Sequence, residues 1–155
     1  MARVAPVFFD TTVLVAGLVE TDEGSACLEI FDAIAEGRIR GAATAWHCCL
    51  EFYSVSTRLP EDLRLSPDDA VRLVAEEILA RFDVLDLPAT TRASFLREAV
   101  RDRVMGGRVY DAHIAEIARR AGSRTVVTDN RRHFTTLERH GIQVLGSTEF
   151  ARTLR

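Results

Sequence analysis

Lysine is absent from this chain of 155 residues; all 20 basic residues are arginine. That excludes the GxxxxGK[ST] phosphate loop, which needs its lysine at the β- and γ-phosphates. No GxGxxG follows the first apolar run, so the dinucleotide-binding fingerprint is missing too. Cysteine is scarce. Cys27, Cys48 and Cys49 show no CxxC spacing, and zinc sites of the usual kind need paired ligand spacings. His47 adjoins Cys48 and Cys49, which is too little for a soft-metal site. Met1-Ala2-Arg3 runs straight into the first apolar segment and leaves no room for a signal peptide. With an odd cysteine count, this implies reduced thiols and a cytoplasmic location. No apolar run reaches membrane-spanning length.

What is present suits one domain, residues 1–155, with a full core: 47% of residues are hydrophobic and 28% charged. The charge is uneven. Residues 1–91 hold 7 Arg against 16 acids, a net of −9, whereas residues 92–139 hold 11 Arg against 6 acids, a net of +5. A basic segment on an acidic protein marks either a phosphate-binding face or a set of solvated helix faces.

Short apolar runs alternate with amphipathic stretches, the pattern of an α/β fold. Strands are expected near 4–9, 40–45, 83–87, 124–128 and 142–145, with helices filling most of the rest. The clearest helix is 67–81. Ser66 is its N-cap, Pro67 fits the first turn, and Asp68 and Asp69 complement the dipole. Val71, Val74, Ala75, Ile78, Leu79 and Phe82 form its apolar stripe. A second helix over 109–121 places Tyr110, Ile114, Ile117, Ala118 and Ala121 on one face, with Gly122 as a left-handed cap.

The most informative residue is Asp10, which ends the run Val4-Ala5-Pro6-Val7-Phe8-Phe9 and precedes Thr11-Thr12. In open parallel sheets, ligand sites lie beyond the carboxyl ends of strands. Thr125-Val126-Val127-Thr128 runs into Asp129-Asn130 in the same way. Acid and amide groups delivered to one sheet edge suit a hard divalent cation such as Mg²⁺. Glu51 lies within Trp46-His47-Cys48-Cys49-Leu50-Glu51-Phe52-Tyr53; buried there it needs a partner or a metal, and otherwise it occupies a wet helix face. Asp111 is either a site carboxylate or a simple dipole-compensating acid at a helix start. His113, His133 and His140 show no metal-pair spacing and read as surface or capping residues. A phosphorelay receiver also gathers acids at a sheet edge, but it depends on a lysine that this chain lacks. A haloacid dehalogenase-type phosphotransferase needs an Asp where Thr12 stands.

Four stretches in order resemble the PIN domain, and within it the VapC-type ribonuclease toxins. They are Phe9-Asp10-Thr11-Thr12, Leu50-Glu51-Phe52-Tyr53 running to Thr57-Arg58-Leu59-Pro60, Gly106-Gly107-Arg108-Val109-Tyr110-Asp111, and Thr128-Asp129-Asn130-Arg131-Arg132-His133-Phe134. The resemblance implies a three-layer α/β/α fold around a central, mainly parallel five-stranded sheet. It implies a Mg²⁺- or Mn²⁺-dependent endoribonuclease whose catalytic positions are Asp10, Glu51, Asp111 and Asn130. Asp10 and Asp111 are the expected direct metal ligands, with Thr11, Thr12 and Thr128 orienting them. For the fourth position, chemistry favours Asp129 as the stronger ligand and motif spacing favours Asn130, leaving Asp129 to cap the turn at Arg131-Arg132. Arg108, Arg131 and Arg132 are the RNA-binding candidates nearest the site. The implied partners are a small VapB-like antitoxin and a second copy of the chain. Two alternatives stay open: a weakly catalytic PIN-fold module that only binds RNA or protein, and a DNA nuclease or phosphatase on the same acids.

Overall fold

The computed structural model describes residues 6–19 and 25–155. Five short strands form one sheet: β1 (Val7–Phe9), β2 (Ala42–Ala45), β3 (Asp83–Leu85), β4 (Thr125–Val127) and β5 (Gln143–Leu145). Their order is β3-β2-β1-β4-β5 and every pairing is parallel. All five expected strands are present; residues 4 and 5 of the first lie outside the described residues. The apolar side chains explain why the strands can sit between helices. Phe8, Phe9, Ala43, Ala45, Val126 and Val127 are fully buried, as strands covered on both faces require.

The helices are α1 (Thr11–Leu18), α2 (Ala26–Ala35), α3 (Trp46–Ser56), α4 (Pro67–Leu73), α5 (Arg92–Arg101), α6 (Arg108–Arg120) and α7 (Ser147–Arg152). They complete the three-layer α/β/α arrangement. No helix among the described residues is long and apolar enough to cross a membrane. Phe9 links the layers, its ring meeting Phe82 at 5.9 Å and Phe150 at 5.6 Å, both edge-on. Gly17 lets α1 approach α2 closely, because a Cβ there would strike the Phe31 ring.

Two helices differ in detail from the pattern in the sequence. Ser66 does cap α4, accepting from the Asp69 N–H at 3.1 Å. Beyond Leu73, however, the chain runs as a π-helical stretch, Val74–Leu79. The wider turn breaks the phase of a regular 3.6-residue stripe. The covered face becomes Ala70, Leu73, Val74, Ile78 and Phe82, while Val71, Ala75 and Leu79 are exposed. In α6, Ile114, Ile117 and Ala118 are buried, but Tyr110 is 56% exposed because it precedes the part of the helix covered by the sheet. Gly122 closes α6 at φ +76° as a left-handed cap.

The topology sets the position of any site. From β1 the chain winds outward through β2 and β3, then crosses back to place β4 on the other side of β1. The crevice between the carboxyl ends of β1 and β4 is therefore the switch point, where helices lead away in opposite directions and leave an opening.

Candidate active site

Asp10 stands at that opening. It follows Phe9 without an intervening loop, and its carbonyl accepts from Val13 N at 3.1 Å to start α1. Its side chain makes no capping bond of its own, so the carboxylate stays at the head of the helix, where the dipole favours negative charge. Only 4% of the residue is exposed. Burial pushes the Asp10 carboxyl above the usual carboxylate range, and the charge of Glu51 adds to the rise. Hydrogen bonds from Thr128, the Thr11 backbone and Thr12 act in the other direction.

The threonines of both strand ends converge on this one carboxylate. Thr128 Oγ1 donates to Asp10 Oδ2 at 2.8 Å, and Thr12 Oγ1 donates to the same oxygen at 3.2 Å. Thr128 Oγ1 also accepts from Asn130 N at 3.0 Å, and Thr12 Oγ1 accepts from Asp129 N at 3.1 Å. The turn after β4 is thus fixed to Asp10 by two hydroxyls.

Glu51 reaches the same place from α3. It is half-buried, resolving the choice between a buried acid and a wet helix face into an intermediate position. Thr11 Oγ1 donates to its Oε2 at 2.7 Å, and His47 Nε2 lies 3.1 Å from its Oε1. Burial opposes the Glu51 charge, yet the hydrogen bonds from His47 and Thr11 and the proximity of His47 hold its carboxyl below the ordinary value. Asp10, Thr11, Thr12, Glu51 and Asp129 border one cavity of about 420 Å³.

The histidines form the part of the site that sequence reasoning missed. Only His140 is exposed; His47, His113 and His133 are partly covered, so the expectation of surface or capping roles fails for His113 and His133. His47 Nδ1 and His113 Nδ1 are 2.9 Å apart. Because ionised Glu51 can only accept, His47 carries its proton on Nε2 and receives one from His113 Nδ1–H. The order His113 to His47 to Glu51 is then fixed. Burial, followed by the proximity of His47, pushes His113 below its ordinary value. The i, i+4 spacing of His47 and Glu51 on one helix was the available signal. The pairing with His113 spans 66 positions and had none.

Asp111, on the first turn of α6, lines a second groove and pairs with His133 at 2.7 Å. Asn130 Nδ2 lies 2.8 Å from the same His133 nitrogen. One Nδ1 cannot donate to Asp111 and also accept from an amide, so with Asp111 ionised the Nδ1–H is donated to its carboxylate and shared with an Asn130 amide turned to present its oxygen. Asn130 thus joins two hydrogen-bonded groups, its backbone N–H bonding Thr128 beside Asp10 and its side chain meeting His133 beside Asp111.

Asp129 and Asn130 divide in a way the sequence argument did not foresee. Asn130 is directed to His133 and Asp111. Asp129 borders the Asp10 cavity, but its Oδ1 also accepts from Ser147 N and Ser147 Oγ, both at 2.8 Å. It anchors the first turn of α7 and does not cap the turn at Arg131-Arg132. Arg131 is bound to Glu149 at 2.7 Å, whereas Arg132 and Arg108 are exposed. Cys48 and Cys49 are buried core thiols, pushed up to about 12 and about 11 by burial. They are poor soft-metal ligands in that state.

A family model for the PIN domain matches residues 6–132. The chain belongs to the PIN domain family. Within that family it is of VapC type. It is 36% identical over 140 residues to ribonuclease VapC27 of Mycobacterium tuberculosis strain H37Rv, covering 90% of this chain and 96% of that protein. Ribonuclease VapC40 of M. tuberculosis strain CDC 1551 is 31% identical over 135 residues, covering 87% and 94%. Among solved structures, PAE2754 from Pyrobaculum aerophilum superposes with a TM-score of 0.63 at 20% identity over 97% of this chain and 96% of that one. That likeness establishes the fold.

The donor set of this PIN domain suits a hard cation. Asp10 is a buried carboxylate whose charge is opposed by burial and by Glu51, and a divalent cation would supply the missing countercharge. Asp10 and Glu51 are the residues that fit this role. Among the described residues no three acids, histidines or cysteines already converge as a metal shell, and Asp111 is engaged by His133.

Proposed function

We propose that this protein is a Mg²⁺- or Mn²⁺-dependent endoribonuclease and the toxin of a toxin–antitoxin pair. The observation that carries the reading is the buried Asp10 carboxylate at the switch point, with Glu51 on the same cavity. Two relatives that align over nearly their whole length are named as ribonucleases. RNA is therefore favoured over DNA and over phosphomonoesters.

Asp10 and Glu51 would hold the cation, with Asp111 joining once it exchanges His133 for the site. Bound there, a divalent cation supplies an activated water and relieves charge on the phosphate. The chain's own groups set the conditions. Thr128 and Thr12 fix the Asp10 oxygen that faces them, leaving the carboxylate one orientation. Thr11 and His47 do the same for Glu51. The His113–His47–Glu51 chain directs its donors toward Glu51 and holds that carboxylate as an acceptor. His133 holds Asp111 and Asn130 together.

The proposed partners are RNA, a small VapB-like antitoxin and a second copy of the chain. Trp46, Leu50 and Tyr53 are 44%, 55% and 39% exposed. They form a stripe on the helix that carries Glu51, and such a surface favours protein contact. An antitoxin arginine entering the acidic cavity would make charge-assisted bonds to Asp10 or Glu51. The test has two arms. Purified protein is given single-stranded RNA, DNA and a phosphomonoester, each with Mg²⁺ and with chelator. The protein is also induced alone in a host lacking the partner. RNA cleavage with Mg²⁺ and arrested growth are expected. Cleavage of DNA or the monoester instead of RNA overturns the substrate assignment, and normal growth with soluble protein overturns the toxin assignment.

A further inference from the structure

A groove of about 600 Å³ lies between α5, α6 and the 3-10 stretches Arg131–His133 and Thr135–His140, and it opens at Asp111 and His133. It lies in the segment whose formal net charge is +5. Its walls carry four acids, and each has a basic side chain as partner. Glu98 faces Arg101 at 3.9 Å, Asp102 faces Arg139 at 3.3 Å, and Asp111 faces His133 at 2.7 Å. Glu116 takes both Arg119 at 2.8 Å and Arg120 at 2.7 Å. Two arginines of the groove are left over. Among the described residues neither the Arg103 nor the Arg108 side chain has a hydrogen bond or an ion pair.

The backbone singles out Arg103. Helix α5 ends in a doubly closed left-handed turn, with Arg103 N bonded to Val100 O at 3.2 Å and Val104 N to Ala99 O at 2.9 Å. The same double closure ends α2 at Gly37, α6 at Gly122 and the Thr135–His140 stretch at Gly141. Those three glycines have φ of +72°, +76° and +74°. Arg103, at φ +54°, is the one non-glycine left-handed residue among the described residues. Only glycine adopts this conformation without steric cost. The fold therefore carries strain to keep a long cationic side chain on this groove, and strained positions of that kind gather at ligand clamps.

We infer that Arg103 and Arg108 form a phosphate clamp for single-stranded RNA leading away from the cleavage position past Asp111. The inference rests on the ribonuclease reading above. The acids at the cut repel the backbone they must approach, so attraction has to come from the flank. This groove is the flank that begins at Asp111. Two free guanidiniums on one wall match the repeated charge of a strand better than a single carboxylate. Each phosphate engaged releases condensed counterions and steepens the salt dependence of binding.

The experiment uses the full chain and a fluorescent ten-nucleotide single-stranded RNA in chelator, so that binding is read without cleavage. Anisotropy is followed across NaCl concentration for wild type, Arg103→Gly, Arg108→Ala, the double variant, and Arg152→Ala as a remote control. Arg103→Gly should weaken binding several-fold and lower the log–log salt slope by about 0.7, the double variant by about 1.4. At the same time Arg103→Gly should melt higher by about 2–4 °C, because the strained turn gains its preferred residue. Loss of affinity in a more stable protein cannot come from misfolding. An unchanged slope in Arg103→Gly and in the double variant overturns the clamp. Cleavage by wild type, run in parallel with Mg²⁺, separates the two claims. If wild type cleaves and both variants keep its KM, the clamp fails while the ribonuclease reading stands. If wild type cleaves nothing, the reading fails, and the salt slopes still decide the clamp.

Discussion

Thr128→Val probes the centre of the site with nearly no change in shape. Thr128 is completely buried. Its hydroxyl donates to Asp10 Oδ2 at 2.8 Å and accepts from Asn130 N at 3.0 Å. Valine keeps the volume and removes both bonds. A hydrogen bond to a charged acceptor contributes about 1.5–3 kcal/mol, and a buried donor left unmade costs about 1 kcal/mol more. The expected loss is therefore about 2.5–4 kcal/mol at neutral pH, a large share of the roughly 5–15 kcal/mol that holds a domain together. At about 2–4 °C per kcal/mol for a chain of this size, Tm should fall by roughly 5–15 °C. The partner of that bond is identified by a double-mutant cycle in urea. In an Asp10→Asn background the bond becomes neutral, so the cost of Thr128→Val should shrink by about 1–2 kcal/mol. It should shrink also at low pH, where Asp10 takes up its proton. A cost below about 0.5 kcal/mol, or an equal cost in both backgrounds, would refute the claim that Thr128 acts through the Asp10 charge.

Asp10→Asn should itself raise Tm near pH 7. Burial lifts the Asp10 carboxyl above its unfolded value. Its contribution to stability is therefore fully present below the unfolded value and lost as pH rises through the folded one. The gain should vanish as pH is lowered into the ordinary carboxylate range; a gain independent of pH contradicts the burial argument. His47→Ala removes the donor that holds Glu51 and should lower kcat/KM for RNA by about 10–100-fold, with His47→Gln, which can still donate, recovering part of the loss. Gly17→Ala should destabilise by about 1–3 kcal/mol in chemical denaturation, because the new methyl meets the buried Phe31 ring. An increase in stability, as helix propensity alone would give, would show that α1 and α2 can separate.

The positions of the strands were legible in the sequence because each is a short apolar run followed by polar residues, and Asp10 stood out for the same reason; the parallel sheet was implied by the family resemblance, and the strand order came from the structure. The placement of Asp10 at the switch point follows from topology and required no long-range information beyond the strand order. The histidines were not legible. His113 stands only two residues from Asp111 on the same helix, which sends the two side chains in different directions, and its partner His47 comes from another helix. His133 meets Asp111 across 22 positions. The role of Asp129 was misread for a related reason: its acceptor geometry is taken by Ser147 of α7, which local spacing cannot reveal. The π-helical stretch was hidden because a hydrophobic stripe carries no mark of where the turn widens. Arg103 was hidden because a left-handed arginine looks like any other arginine at the end of a helix.

The central claim is that Asp10 and its neighbours form a cation-dependent site for cutting RNA. The most direct measurement is cleavage of a single-stranded RNA as a function of Mg²⁺ concentration, for wild type and folded Asp10→Asn side by side. The account predicts cleavage by wild type that rises and saturates with Mg²⁺, is abolished by chelator, and is lost by at least about a hundredfold in Asp10→Asn at every Mg²⁺ concentration. Equal cleavage by the two proteins at limiting Mg²⁺, or wild-type cleavage that persists in chelator, would contradict it.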